Sequence, residues 1–199
     1  MATRSSKPST SRSSSRSSGG RSGGKAALSP AAPTASHNPL KTKLATGKPA
    51  CGILISMPGV GGVQTLVGAG FDWIFIDMEH GPINIESAHA MIAATRGTQT
   101  APLVRVPWNV HWLIKPVLDA GAMGVIVPMV KTKADAQAAV QAVRYPPTGD
   151  RGYGPLYATM HWGLDGVDYA DAADRDVTCV LLIEHKDAVK NIRQIVSVP

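Results

Sequence analysis

The sequence predicts an α/β fold in which helices cover a parallel β-sheet, and three observations support this prediction. From about residue 39, short apolar runs alternate with segments that have the 3.6-residue periodicity of amphipathic helices. The runs are apolar at successive positions, which is typical of strands buried on both faces of a parallel sheet. The chain has 199 residues, of which 44% are hydrophobic, and this is enough for one core of ordinary size.

Five apolar runs are predicted to be strands. In chain order they are CGILIS at 51–56, FDWIFID at 71–77, PLVRV at 102–106, GVIVPMV at 124–130 and CVLLIE at 179–184. Five strand-then-helix units are compatible with an open doubly wound sheet or with a closed (β/α)₈ barrel, and periodicity alone does not choose between them. In both architectures ligands bind at the carboxyl ends of the strands.

A helix is predicted after each strand. Apolar positions have helical spacing after four of the strands. They are Val63, Leu66 and Val67 after the first strand, positions within 110–118 after the third, positions within 134–143 after the fourth, and Val189, Ile192 and Val196 after the fifth. The helix after the second strand is predicted to begin near Asn84, whose side chain can accept a hydrogen bond from the first turn.

The positive charge of the chain is concentrated near its start. The formal net charge is +6, and nine of the 20 Lys and Arg residues lie in residues 1–50, whereas the first acidic residue is Asp72. The later residues carry 11 basic and 14 acidic side chains. The predicted folded part is therefore mildly acidic, and the overall charge does not indicate a nucleic-acid partner.

Residues 1–36 are rich in Ser, Gly, Arg and Pro, so they are predicted to be a disordered tail. Four interpretations stay open: an inert extension, an organelle transit peptide, a nucleic-acid-binding arm or a tail regulated by phosphorylation. No apolar run approaches the roughly 20 residues that cross a bilayer, and a secretory signal is not recognisable. We expect a cytoplasmic protein with no membrane or nucleic-acid partner, and import into an organelle through the tail is the alternative.

Charged side chains stand where three of the predicted strands end. Asp77, Glu79 and His80 lie at the carboxyl end of the second strand in the segment IDMEHG, the third strand carries Arg105, and the fifth strand ends in Glu184. An imidazole can act as a general base, a guanidinium can bind an anion, and a carboxylate can bind a hard metal ion. Together they suit proton removal next to a carbonyl group, although each residue alone is also compatible with a structural role.

Five stretches carry a resemblance to a known family. They are GAGFDWIFIDMEHG (68–81), PLVRVPWN (102–109), LDAGAMGVIVPMV (118–130), RYPPTGDRGYG (144–154) and LLIEHKDAVKNI (181–192). In this order and spacing they resemble the HpcH/HpaI aldolase family, that of 4-hydroxy-2-oxo-heptanedioate aldolase and the citrate lyase β-like proteins. The resemblance covers residues 39–199 and implies an incomplete (β/α)₈ TIM barrel of the pyruvate/phosphoenolpyruvate type, with about five of the eight units.

The resemblance implies a metal-dependent class II aldolase. Such an enzyme cleaves a 4-hydroxy-2-oxo acid into pyruvate and an aldehyde by a retro-aldol reaction through a metal-bound enolate. By resemblance, Glu184 binds a divalent cation, Mg²⁺ or Mn²⁺, Arg105 binds the substrate and stabilises the enolate, and His80 moves the proton of the 4-hydroxyl group.

Two further acidic residues match the family's pattern. Asp119 matches an Asp that partners the catalytic His, and because it precedes the fourth strand it would reach His80 only from a neighbouring subunit of a homo-oligomer. Its local position is equally compatible with a surface residue at a helix C-terminus. Asp77 matches an acidic position beside the site and is predicted, with Arg105, to contribute to substrate binding.

The family's pattern continues beyond Pro199. Its second metal ligand is an Asp in a GPxDLS-like motif, and its last strands close the barrel, so we expect this chain to be a fragment with an incomplete site. The alternative is a catalytically inactive remnant that binds a partner subunit through an exposed sheet edge. A related lyase acting on an acyl-CoA thioester is disfavoured, because IDMEHG and the YPPxGxRG pattern resemble the branch that acts on small oxo acids.

Overall fold

A computed structural model of the protein describes residues 36–199. Within these residues one sheet has five parallel strands, and each strand pairs with the next strand in sequence. The strands are β1 (Gly52–Ile55), β2 (Trp73–Asp77), β3 (Ala101–Arg105), β4 (Gly124–Val127) and β5 (Thr178–Leu181). The predicted α/β class is confirmed, and the sequential strand order is that of a partial (β/α)₈ barrel and not of a doubly wound sheet.

Nine helices are described between residues 36 and 199. They are α1 (Pro39–Ala45), α2 (Val60–Gly68), α3 (Ile85–Ala93), α4 (His111–Asp119), α5 (Lys133–Val143), α6 (Leu156–Trp162), α7 (Gly166–Asp176), α8 (Lys186–Lys190) and α9 (Ile192–Ile195). In this part of the chain no helix has both the length and the apolar character needed to cross a membrane. The disorder predicted for residues 1–36 concerns residues that, apart from Ser36, lie outside those described.

Each predicted strand is present, and the helix between β2 and β3 begins where the sequence indicated. The Asn84 side chain accepts a hydrogen bond from the Ser87 amide at 2.9 Å. The prediction omitted α1, α6 and α7, and the single helix expected after β5 is two short helices that meet at Asn191.

The sheet separates two apolar clusters. The larger one lies between the sheet and the outer helices and includes the fully buried Val63, Met91 and Ile114. The smaller one, which we call the interior cluster, lies on the opposite face, where residues alternate with those of the larger cluster along each strand. Its buried members are Leu40, Ala101, Leu103 and Ile126, and Trp73, Phe75, Val180 and Leu182 pack against them.

Helix α1 covers the interior cluster at the amino ends of the strands. Leu40 of α1 belongs to that cluster and is 5% exposed. The buried Asn38 side chain donates to the carbonyl oxygens of Met123 and Asp176. Met123 is the residue before β4, and Asp176 lies two residues before β5. With this end covered, a ligand is expected at the carboxyl ends of the strands, as in other parallel α/β folds.

Candidate active site

Asp77 and Arg105 form the centre of the candidate site. They are the last residues of β2 and β3, and they are register partners in the parallel ladder, so the strand pairing itself brings the two side chains together. Arg105 Nε donates to Asp77 Oδ1 at 2.8 Å and a terminal nitrogen donates to Oδ2 at 2.6 Å. The Arg105 guanidinium also lies 5.1 Å from the centre of the Phe75 ring. A bidentate pair of this kind fixes the plane of the guanidinium as well as its position.

Asp77 is 2% exposed and its carboxylate is fully used by the protein. Burial alone would raise its pKa, but hydrogen bonds from Arg105 and from the backbone amides of His80 and Glu79 outweigh burial and lower it. The hydrogen bond with Asp77 in turn raises the pKa of Arg105. Asp77 is therefore an anion that holds the Arg105 side chain and the turn after β2.

Glu79 is the residue whose importance the sequence did not indicate. Its Oε2 atom is buried and has no hydrogen-bond donor among the described residues, although it lies 3.1 Å from Arg105 Nε and 3.7 Å from His80 Nε2. Arg105 Nε already donates to Asp77, so the contact with Glu79 is electrostatic. The sequence placed Glu79 at a strand end, but only the geometry shows that it lies between the guanidinium and the imidazole.

His80 presents its imidazole to solvent in the turn after β2. The side chain is 75% exposed, and the acidic group within ion-pair distance of it in residues 36–199 is Glu79. The turn is tight at Gly81, where a Cβ atom would lie 2.6 Å from the Asp77 carbonyl oxygen and 2.8 Å from that of Ser56. A glycine is required at this position, and it allows His80 to sit beside the end of β2.

Glu184 lies just beyond β5, on the other side of β4 from Arg105. Its Oε1 accepts a hydrogen bond from the Met129 amide at 2.7 Å, and Met129 has the left-handed backbone angle φ of 55°. Glu184 also contributes to raising the pKa of Arg105. Both residues lie at the carboxyl end of the sheet, Arg105 as the last residue of β3 and Glu184 three residues after β5. The structure thus brings Asp77, Arg105 and Glu184 to one end of the sheet.

Glu184 supplies one donor of the kind that a hard divalent cation prefers, and ligand oxygens would have to complete the site. Glu184 Oε2 is left without a hydrogen-bond partner from residues 36–199, and a carboxylate oxygen is a donor that Mg²⁺ and Mn²⁺ prefer. In the same residues no group of three or more His, Cys, Asp or Glu side chains is arranged to hold a metal ion. Any cation here would rely on one or two carboxylates plus substrate oxygens, which is usual for Mg²⁺.

Asp119 is not brought to the other site residues within this chain. It is the last residue of α4, and α4 leads to the amino end of β4, whereas His80 follows the carboxyl end of β2. Asp119 Oδ1 accepts from Arg151 at 3.0 Å. The Arg151 guanidinium is buried, 4.6 Å from the centre of the Tyr145 ring, and donates to the Tyr169 hydroxyl. Asp119 itself stays partly exposed, with 20% of its side chain accessible.

Comparison with known proteins gives a family match over most of the described chain. The model of the family described as HpcH/HpaI aldolase/citrate lyase matches residues 62–199. A 4-hydroxy-2-oxo-heptane-1,7-dioate aldolase from Klebsiella pneumoniae is 39% identical over 163 residues, which are 81% of this chain and 61% of that protein. A hydroxypyruvate/pyruvate aldolase from Roseovarius nubinhibens is 36% identical over 167 residues, which are 84% of this chain and 64% of that protein.

The solved structures agree with this match. The crystal structure of a HpcH/HpaI aldolase/citrate lyase family protein from Burkholderia cenocepacia superimposes with a TM-score of 0.72 and 30% identity. The superposition covers 81% of this chain and 65% of that chain. The chain thus spans about three fifths of the length of the curated relatives it matches.

Proposed function

Because the chain belongs to the HpcH/HpaI aldolase/citrate lyase family, we propose that it is a carbon–carbon lyase of the aldehyde-lyase type. Its substrate in this proposal is a 4-hydroxy-2-oxo acid, and its products are pyruvate and an aldehyde. The observation that carries the proposal is the fixed Arg105 guanidinium at the carboxyl end of β3, which is the same end of the sheet as the Glu184 carboxylate.

Arg105 stabilises the negative charge that develops on the keto oxygen as the C3–C4 bond breaks. Asp77 occupies Nε and one terminal nitrogen of the guanidinium, so the other terminal nitrogen remains available to donate toward the substrate. A donor that is already oriented needs no reorganisation during the reaction, which is the main advantage of such preorganised groups. Asp77 contributes to substrate binding through Arg105 and not by direct contact, because it is an acceptor whose two oxygens are already used.

His80 removes the proton of the 4-hydroxyl group while the C3–C4 bond breaks. Its exposed position leaves room for a substrate beside it, and Glu79 lies on the side of its Nε2 atom. Asp119 of a neighbouring copy acts as the partner that orients the imidazole, since Asp119 of the same chain lies near the other end of the sheet. The proposal therefore includes a homo-oligomer.

Glu184 is the residue of this chain that would hold a divalent cation, Mg²⁺ or Mn²⁺. When bound, the cation supplies Lewis-acid polarisation of the 2-oxo group. The hydrogen bond from the Met129 amide fixes Glu184 Oε1, so the carboxylate has one defined orientation before any cation arrives.

Enolate formation is tested by exchange of the pyruvate methyl protons in D₂O. We expect the purified 199-residue chain to accelerate the loss of the methyl proton signal in Mg²⁺ or Mn²⁺ buffer, and EDTA to abolish the effect. Glu184→Gln is expected to reduce the metal-dependent rate at least about tenfold, because it removes the charge that holds the cation. The matched control is Glu86→Gln, which changes an exposed Glu on α3 and is expected to leave the rate unchanged.

The outcome of this experiment separates the two hypotheses drawn from the sequence. A chain that is folded by circular dichroism, is loaded with metal and shows no exchange above the buffer rate would overturn the catalytic proposal. That result would favour the catalytically inactive remnant.

The role of His80 is tested by retro-aldol cleavage of 4-hydroxy-2-oxopentanoate, the adduct of pyruvate and acetaldehyde. His80→Ala is expected to slow pyruvate release by about 10²- to 10⁴-fold, which is the usual loss for a general base. His37→Ala, which removes another exposed imidazole, is expected to keep the wild-type rate. Full cleavage by the His80 variant would exclude the assigned role.

A further inference from the structure

The region between Arg105 and Glu184 is bounded by a surface without polar side chains. Arg105 is in register with Ile126 of β4, and Ile126 is in register with Val180 of β5. Ile126 is buried in the interior cluster, whereas Val180 and Leu182, which lies between Val180 and Glu184 along the chain, are partly exposed. We call Val180 and Leu182 the apolar wall.

Leu182 has a defined orientation although it lies just past the end of β5. Its amide donates to the Val127 carbonyl oxygen at 3.0 Å, which continues the parallel ladder by one step. Side chains alternate along an extended strand, so Leu182 shares a face with Val180 and Glu184. Both apolar residues pack against the interior cluster that contains Ile126 and Leu103.

Polar partners are missing along this face of β4 and β5. Thr178, at the amino end of β5, accepts a hydrogen bond from the Asn38 side chain and lies away from the site. Gly124 of β4 carries no side chain, and Glu184 is the polar group at the carboxyl end. A ligand that extends from Arg105 to Glu184 therefore meets the Val180 and Leu182 side chains, which neither donate nor accept a hydrogen bond.

We propose that Leu182 and the apolar wall select 2-oxo acids whose third carbon carries only hydrogen or alkyl groups. This inference rests on the proposed function, in which the carboxylate and 2-oxo group of the ligand are held by Arg105 and the cation at Glu184. The remaining carbon, C3, then lies against the wall. Pyruvate and 2-oxobutanoate place an alkyl group there, whereas hydroxypyruvate places a hydroxyl group that has no partner on this face and loses its bonds to water. An apolar pocket disfavours an added hydroxyl by roughly ten- to a hundredfold.

The proposal is tested with pyruvate, 2-oxobutanoate and hydroxypyruvate on the 199-residue chain in Mg²⁺ buffer. Proton exchange at C3 in D₂O is measured for each acid against a protein-free blank, and binding is measured separately by saturation-transfer NMR. We expect the wild-type chain to prefer pyruvate and 2-oxobutanoate over hydroxypyruvate by at least about tenfold in both measurements.

Leu182→Gln tests whether the apolar wall causes the preference against hydroxypyruvate. An amide at this position supplies both a donor and an acceptor, so the ratio of the hydroxypyruvate exchange rate to the pyruvate exchange rate is expected to rise by about tenfold. Leu44→Gln is the matched control, because Leu44 is 51% exposed on α1, at the other end of the sheet, and the ratio is expected to stay at the wild-type value. Leu182→Met, which keeps the surface apolar, is expected to behave like the wild type.

The outcomes distinguish this inference from the proposed function. Selective binding without exchange would support the apolar wall and overturn the catalytic proposal. The apolar-wall proposal would be wrong if hydroxypyruvate exchanged at a rate similar to pyruvate, or if Leu182→Gln left the ratio of the two exchange rates unchanged. Neither result would contradict the proposed lyase activity. Binding of none of the three acids would overturn both.

Discussion

Asp77 is the residue on which the position of Arg105 depends. Asp77→Asn removes one charge of a buried ion pair, and we expect it to lower the free energy of unfolding at pH 7 by about 3 kcal/mol, the lower end for a broken buried pair, since Glu79 still faces the guanidinium. Asp171→Asn, a change of an exposed Asp on α7, is the control and is expected to have little effect. Urea unfolding followed by circular dichroism measures both, and equal stability of the two variants would contradict the assignment.

The Asp77 carboxylate also predicts how the free energy of unfolding depends on pH. The pKa of Asp77 is lower in the folded chain than its ordinary value, so its stabilising effect is complete above the unfolded-state pKa of about 3.9 and disappears as the pH falls through the folded-state value. We therefore expect the difference in unfolding free energy between wild type and Asp77→Asn to shrink between pH 5 and pH 2 in a urea titration. A difference that stays constant over this range would show that Asp77 is not a buried anion.

At the scale of single residues, the sequence predicted that Asp77 and Arg105 lie at one end of the sheet and missed how they are connected. Their position could be predicted because both lie near the carboxyl ends of apolar runs, and parallel strands bring such ends to one edge. The connection through Glu79 could not be predicted. It depends on the conformation of the turn after β2, which no periodic pattern encodes.

Helix α5 shows how an element is fixed by its first turn. The Thr132 side chain accepts from the Asp135 amide at 3.1 Å, and Asp135 accepts in return from the Thr132 amide at 2.9 Å. Thr132→Ala is expected to lower the unfolding free energy by about 1 kcal/mol, because an amide of the first turn loses its acceptor. Thr65→Ala, an exposed change inside α2, is expected to cause no loss because alanine favours helices. Thermal unfolding of the two variants side by side provides the measurement, and equal melting temperatures would contradict the capping role.

At the scale of elements, the strands were more predictable than the helices. The strands are continuous apolar runs, and burial on both faces gives them a signal that does not depend on a neighbour. Helices α6 and α7 pack in a separate cluster around Trp162 and Tyr169, outside the repeating strand-then-helix units. Their apolar positions follow no strand, so the pattern that indicated the other helices could not indicate these two.

At the scale of the whole molecule, the distribution of partners is compatible with the proposed site, to which two copies each contribute a residue. His80 is exposed and lacks an orienting carboxylate other than Glu79 in residues 36–199, whereas Asp119 is held by a buried Arg151 and keeps part of its carboxylate accessible. Burial of the Arg151 guanidinium costs desolvation free energy, which its contacts with Asp119, Tyr145 and Tyr169 offset. In the proposed homo-oligomer, a second copy would place its Asp119 against the first copy's His80.

The proposed shared site predicts that a mixture of two inactive variants regains cleavage activity. His80→Ala and Asp119→Asn are each expected to be nearly inactive alone, and the Asn oxygen still accepts from Arg151, so the fold is preserved. When the two are unfolded together and refolded in equal amounts, a site is intact if its imidazole comes from one variant and its carboxylate from the other. Random association makes about a quarter of the sites intact, and cleavage of the 4-hydroxy-2-oxo acid should recover to about a quarter of the wild-type rate. Activity recovers only if the imidazole and the carboxylate of one site come from different chains. Sedimentation checks that the refolded mixture forms oligomers. If it does and the mixture stays as inactive as its components, Asp119 has no role in the reaction.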